Sequence, residues 1–210
     1  MADLMEAIRG GRGGLTSEAR DRVAIHEAAH ACAAVALGLS EVHALALHDA
    51  GGSTLIKRST SVTTPAVAMK LMVQLLAGRA AEIVATGAPS AGAGGPTNSD
   101  LAVATGIATA FEASWGLGEL GPVWLIDPNS GPGALPVHGC LPAISRLLRT
   151  AEADAERLVH QNWASIRRCA DRLIEAGYME TDEVLSALGV VPSFEPARTT
   201  SDTPMTQAKA

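Results

Sequence analysis

Two histidines four residues apart, with a glutamate beside the first, form the stretch His26-Glu27-Ala28-Ala29-His30 in this chain of 210 residues. In a helix, positions four apart differ by about 40° in direction, so both imidazoles leave one face a turn apart and can grip a single metal ion. Glu27 points along an adjacent direction, near enough to reach a water on that ion without being a ligand. This is the general-base arrangement of zinc hydrolases. A chance H-E-x-x-H in a chain of this size has odds on the order of one in a hundred. The competing reading is a pair of histidines on an ordinary amphipathic surface helix. The neighbours speak against it: from Val23 to Ala34 every residue outside the motif is apolar or small, which predicts a buried helix. Two imidazoles and a carboxylate are costly there unless they are paired or bound to metal.

A catalytic zinc takes a third protein ligand and leaves the fourth position to water. The extended motif with a third histidine would need Gly at 33 and His at 36, and those positions hold Ala33 and Ala36. Among downstream carboxylates two stand out, Glu82 in Gly78-Arg79-Ala80-Ala81-Glu82 and Asp100 in Asn98-Ser99-Asp100-Leu101. Asp100 sits where a Gly-rich loop meets a helix, a place from which a short carboxylate can reach into a cleft. Glu82 sits inside a long helix, suited to hydrogen-bonding a ligand histidine. Spacing favours Asp100 and leaves both open, since either could equally serve as a cap or ion-pair residue.

The elements that must position these groups are legible from caps and breakers. Thr16 or Ser17 can cap a first helix over about residues 17–37, closed by Gly38. Residues 42–48 and 53–58, around a turn containing Gly51 and Gly52, predict a β-hairpin or small sheet. Thr64-Pro65 opens a second long helix that runs to Gly87. Residues 88–99 are too rich in Gly and Pro to be helical, and Asn98 or Ser99 can cap a third helix from Asp100 to about Trp115. Within the irregular stretch 116–140, Val123-Trp124-Leu125-Ile126 could form at most a brief strand. Residues 142–177 read as a helical pair or one bent helix, and Thr181 to Leu188 as a last short helix. The fold class expected is mainly α, with a small β-hairpin or short sheet. Residues 1–14 end in a Gly-rich run and predict a flexible arm; residues 191–210, with several prolines and threonines, predict a disordered tail.

Three motifs together resemble a known family. His26-Glu27-Ala28-Ala29-His30-Ala31, Gly78-Arg79-Ala80-Ala81-Glu82 and Asn98-Ser99-Asp100-Leu101-Ala102-Val103-Ala104-Thr105 are similar, in order and spacing, to three signatures of the FtsH-type peptidase domain: HEAGHA, GRxAE and a loop-borne (S/N)DLxxAT. The resemblance extends over roughly residues 20–190 and implies a helical zincin-like peptidase domain over 15–190. It implies Zn2+ held by His26, His30 and Asp100, with Glu27 as base and Glu82 as a supporting residue. The implied reaction is hydrolysis of peptide bonds in unfolded or peptide substrates, zinc activating a water whose proton Glu27 takes and passes to the leaving amine. A peptide could add a strand along Ser53, Thr54, Leu55 and Ile56. His138 and Tyr178 are the candidates by chemistry for an oxyanion donor.

The chain also departs from the family pattern. Ala29 stands where HEAGH has glycine, and His48-Asp49-Ala50-Gly51-Gly52 replaces a Pro-Arg-Gly segment. No G-x-x-x-x-G-K-[ST] loop and no membrane-spanning run occur in the sequence. The expected enzyme is therefore ATP-independent within this chain and fed by a separate ATPase or adaptor; the resemblance suggests a ring-like homo-oligomer. A zinc-stabilised interaction module without catalysis is the alternative, and the intact Glu27 favours the enzyme.

Composition supports this frame. Apolar residues make up 47% but aromatics only 3%, so the core must be built from Ala, Val, Leu and Ile. A net charge of −6 excludes a general nucleic-acid binder. The three cysteines, Cys32, Cys140 and Cys169, show no paired spacing and predict a reducing, cytoplasmic setting. Gly116-Leu117-Gly118-Glu119-Leu120-Gly121 matches G-x-G-x-x-G but follows a helix instead of a strand, which excludes a dinucleotide fingerprint.

Overall fold

The computed structural model describes residues 15–49, 51–59, 62–127, 137–189 and 191–197. The flexible arm expected over 1–14 and the tail beyond 197 lie outside the described residues. Helix α1 (Ser17–Leu37) starts where the Thr16 hydroxyl accepts the Ala19 N–H and stops at Gly38, whose left-handed φ of 65° turns its N–H back to Ala34 O. Its run from Ala24 to Ala34 is buried on every side. Small side chains make that possible, because neighbouring elements can close around a helix of alanine width.

Strands β1 (Ser40–His48) and β2 (Gly51–Arg58) form an antiparallel hairpin, with an irregularity between Val42 and Ala44 that leaves His43 out of register. A third strand, β3 (Tyr178–Glu180), pairs antiparallel with Ala44–Ala46 on the other side of β1. The sheet order is β2-β1-β3, so β2 is an edge strand among the described residues. Helix α2 (Pro65–Thr86) is capped by Thr64, begins with proline and ends at left-handed Gly87. Helix α3 (Asp100–Ala113) is capped by the Ser99 hydroxyl. It ends two residues before the expected Trp115, where Leu125 and Ile126 both donate to Ala113 O. Those two bonds hold the 123–126 run as irregular chain, with no strand.

Residues Leu141–Ala176 form one continuous helix, α4, of 36 residues, in place of the expected pair or bend. Pro142 sits in its first turn, where no N–H is missed, and nothing between there and Gly177 breaks it. Helix α5 (Thr181–Leu188) opens with a reciprocal capping box between Glu180 and Glu183. Helix α1 lies at the centre, packed against α2, α4, β1 and β2, with α3 against α2 and α4. No helix among the described residues is long and apolar enough to cross a membrane.

Residues 191–197, expected as the start of the tail, are held against this body. Phe194 is buried and its N–H donates to Ala36 O at 2.9 Å. The Ala197 N–H donates to the buried Asp154, and Lys70 pairs with Glu195. One apolar side chain and three polar anchors offset the ordering entropy that the local composition alone would not overcome.

Candidate metal centre

Helix α1 carries His26 and His30 on one face, as their four-residue spacing dictates, with ring centroids 4.8 Å apart. Asp100 arrives from the first turn of α3. Its Oδ2 lies 3.3 Å from Nε2 of each histidine. The three ligating atoms fall within 4.8 Å of one another, and this is the one such cluster of His, Cys, Asp and Glu among the described residues.

The far side of each ring is fixed by an oxygen. His30 Nδ1 is 2.9 Å from Gln74 O; a carbonyl only accepts, so the hydrogen is on Nδ1. His26 Nδ1 is 2.8 Å from Glu82 Oε1. Both rings thus turn Nε2 toward one carboxylate oxygen. Neither a bare Nε2 nor a carboxylate oxygen has a hydrogen to give, so the contact requires a shared cation, either a proton on the imidazole or a metal ion. Burial alone would lower the His26 pKa, but its bonds to Asp100 and Glu82 and the charge of Glu27 raise it to about 9. Burial works against the carboxylates too, yet the two histidines hold Asp100 well below the usual range, and His26 with Ser90 holds Glu82 at about 2. Two imidazole nitrogens and one carboxylate oxygen, each ring oriented from behind, match the donor set and outer support of zinc sites. The residues fit the ion.

Glu82 does more than meet the histidine. Its other oxygen, Oε2, accepts from Arg22 Nη1 at 3.2 Å and from the Ser90 N–H at 2.6 Å. Two glycines frame the site at positions where composition alone gives no reason for them. A Cβ at Gly78 would stand 2.4 Å from His26 Nε2, and one at Gly52 would stand 2.7 Å from Glu27 Cγ. In the sequence Gly78 stands out only as the start of the Gly78–Glu82 motif and Gly52 only as a turn residue, and Arg22, Ser90 and Gln74 do not stand out at all. Only the two glycines left a signal: each interrupts a helix or strand, the usual mark of a close approach.

The family model described as peptidase family M41 matches residues 14–134, more than half of the chain, and that stretch includes His26, Glu27, His30, Glu82 and Asp100. The chain belongs to peptidase family M41. It is also 34% identical over 185 residues to the ATP-dependent zinc metalloprotease FtsH 1 of Symbiobacterium thermophilum, an alignment covering 84% of this chain and 30% of that protein. This M41 chain therefore spans less than a third of that relative's length.

The remaining residues of interest in this M41 chain divide by strand. Glu27 is buried, and its Oε2 accepts from the Thr54 hydroxyl of β2 at 2.6 Å. Ser53 and Leu55 face outward, Leu55 with 63% of its surface exposed, and Ile56 packs against the core. Tyr178 is exposed on β3, which pairs with β1 on the side away from β2. The His138 side chain lies outside the described residues.

Proposed function

We propose that this chain is a zinc metallopeptidase that hydrolyses peptide bonds in unfolded or peptide substrates. The observation that carries the reading is the convergence of His26, His30 and Asp100 from two helices beside a buried carboxylate, Glu27, that is not one of the three. In this reading His26, His30 and Asp100 hold the ion, and Glu82 and Gln74 orient the two rings. Bound zinc would supply Lewis acidity toward a carbonyl and toward water. Glu27 takes the proton of the attacking water and delivers it to the leaving amine, which must be protonated before it can depart. The substrate backbone adds to the free edge of β2 at Ser53–Ile56, a mode that tolerates many sequences because it reads main-chain groups.

The peptidase unit occupies residues 15–190. Hydrolysis needs no ATP from this chain, and a separate ATPase or adaptor feeds it. The three cysteines are free and buried, which suits a reducing cytoplasm. The test is cleavage of casein and short peptides by the purified chain, stripped with chelator and reloaded with zinc. The reading predicts loss and recovery of cleavage in step with zinc content. Zinc that binds in a one-to-one ratio without any cleavage would replace it with a metal-stabilised interaction module.

A further inference from the structure

We infer that Thr54 is a positioning residue for Glu27, so that the strand proposed to take the peptide also holds the base. The inference rests on the peptidase reading above and assigns the Thr54 side chain to the interior, leaving only its main chain on the β2 edge that takes the peptide. Three observations carry it. First, register: Thr54 stands opposite Leu45, which is fully buried, whereas its neighbour Leu55 is mostly exposed. The Thr54 side chain therefore points into the sheet face that covers α1. Second, contact: the Thr54 hydroxyl lies 2.6 Å from Glu27 Oε2 and 3.1 Å from Glu27 O. A hydroxyl has one hydrogen, and the closer, carboxylate oxygen takes it. Third, space: a Cβ at Gly52 would come within 2.7 Å of Glu27 Cγ and 3.0 Å of Oε1. Gly52 opens the room that Glu27 fills, and Thr54 fixes the carboxylate within it.

The consequence is a division of labour between the two oxygens. Oε2 is tied to β2, and Oε1, beside Gly52, is the oxygen left to receive the proton. A glutamate has three rotatable bonds, and a base that wanders among rotamers spends little time in the productive geometry. Tethering one oxygen raises the rate of the proton-transfer step without adding to substrate affinity.

The experiment compares Thr54→Val, which keeps shape and removes the hydroxyl, with Thr54→Ser, which keeps the hydroxyl. Zinc content, kcat and KM on a fluorogenic peptide, and melting temperature are read for each. The expected result is a kcat for Thr54→Val lower by on the order of tenfold, with KM and zinc content close to wild type, and recovery of most of kcat in Thr54→Ser. A kcat for Thr54→Val equal to wild type, or a rise in KM alone, would overturn the assignment. The second readout needs no activity: melting of zinc-stripped Glu27→Ala, Thr54→Val and the double variant. A tether predicts that the double variant loses clearly less than the sum of the two singles, and additive losses contradict it. If Thr54→Val does not fold, Thr54→Ala takes its place in both arms. A wild-type chain that holds zinc and cleaves nothing overturns the peptidase reading instead, and the tether is then decided by the melting cycle.

Discussion

His26 is gripped from three directions: Glu82 behind the ring, Asp100 in front, and Gly78 lying so close that a methyl group would occupy the ring's place. Each predicts a different loss. Asp100→Asn removes the anionic donor and should weaken zinc binding far more than Glu82→Gln, which disturbs only ring orientation and should cost roughly 10–100-fold. A chelator-competition titration reads both, and the reverse order would exchange the two roles. Gly78→Ala should lose zinc and melt at a lower temperature, because the added carbon cannot coexist with His26 in its present rotamer. The motif residues were legible because their spacing alone puts them on one helix face. The choice of Asp100 over Glu82 was not legible from the residues themselves: it depends on how α3 approaches α1 across 74 positions of chain, and no local pattern encodes that distance. Thr54 shows the same limit, since strand alternation says it points inward but not that Glu27 is what it meets.

At the scale of elements, the caps were the reliable signal. Thr16, Thr64 and Ser99 stand where helices begin, and Gly38, Gly87, Gly177 and Gly189 where they end. What escaped reading was set by distant partners. β3 is three residues long and exists because Ala44–Ala46 pairs with it. The 191–197 segment is ordered because Phe194 finds a buried seat beneath Arg157, whose guanidinium lies 5.5 Å from the ring centroid and also pairs with Asp154. Phe194→Ala should lower stability by about 3–5 kcal/mol, read by denaturant melting; an unchanged midpoint would show that the segment contributes nothing. Glu112, near the end of α3, is buried with the Glu119 N–H donating to it. Burial raises its pKa, and the Glu119 charge adds to this against the Glu119 N–H and Arg146. The folded state then holds this proton more tightly than the unfolded chain, so stability falls as pH rises above the ordinary carboxylate value. Glu112→Gln should melt above wild type at neutral pH. The gap should close as the medium is acidified past that value, and a gap constant with pH would contradict the assignment.

Across the whole molecule, a helix of small residues runs through the middle and brings two histidines and a glutamate, all buried, to a junction where α2 supplies Glu82 and Gln74, α3 supplies Asp100 and β2 supplies Thr54. Composition set this much in advance: with 3% aromatics the core had to be close-packed from small and aliphatic side chains, and α1 is its axis. No nucleotide-binding loop occurs in the 210 residues, so the chain alone should cleave unfolded casein and peptides while sparing tightly folded proteins; cleavage of a stable folded domain at a comparable rate would refute this. The central claim is that Glu27 acts as base beside a zinc held by other residues, and Glu27→Gln tests it most directly. Zinc content and peptide cleavage are measured together on wild type and variant. The account predicts that Glu27→Gln keeps its full zinc and cleaves about 100-fold more slowly or worse. Cleavage by the zinc-loaded variant at the wild-type rate would contradict it.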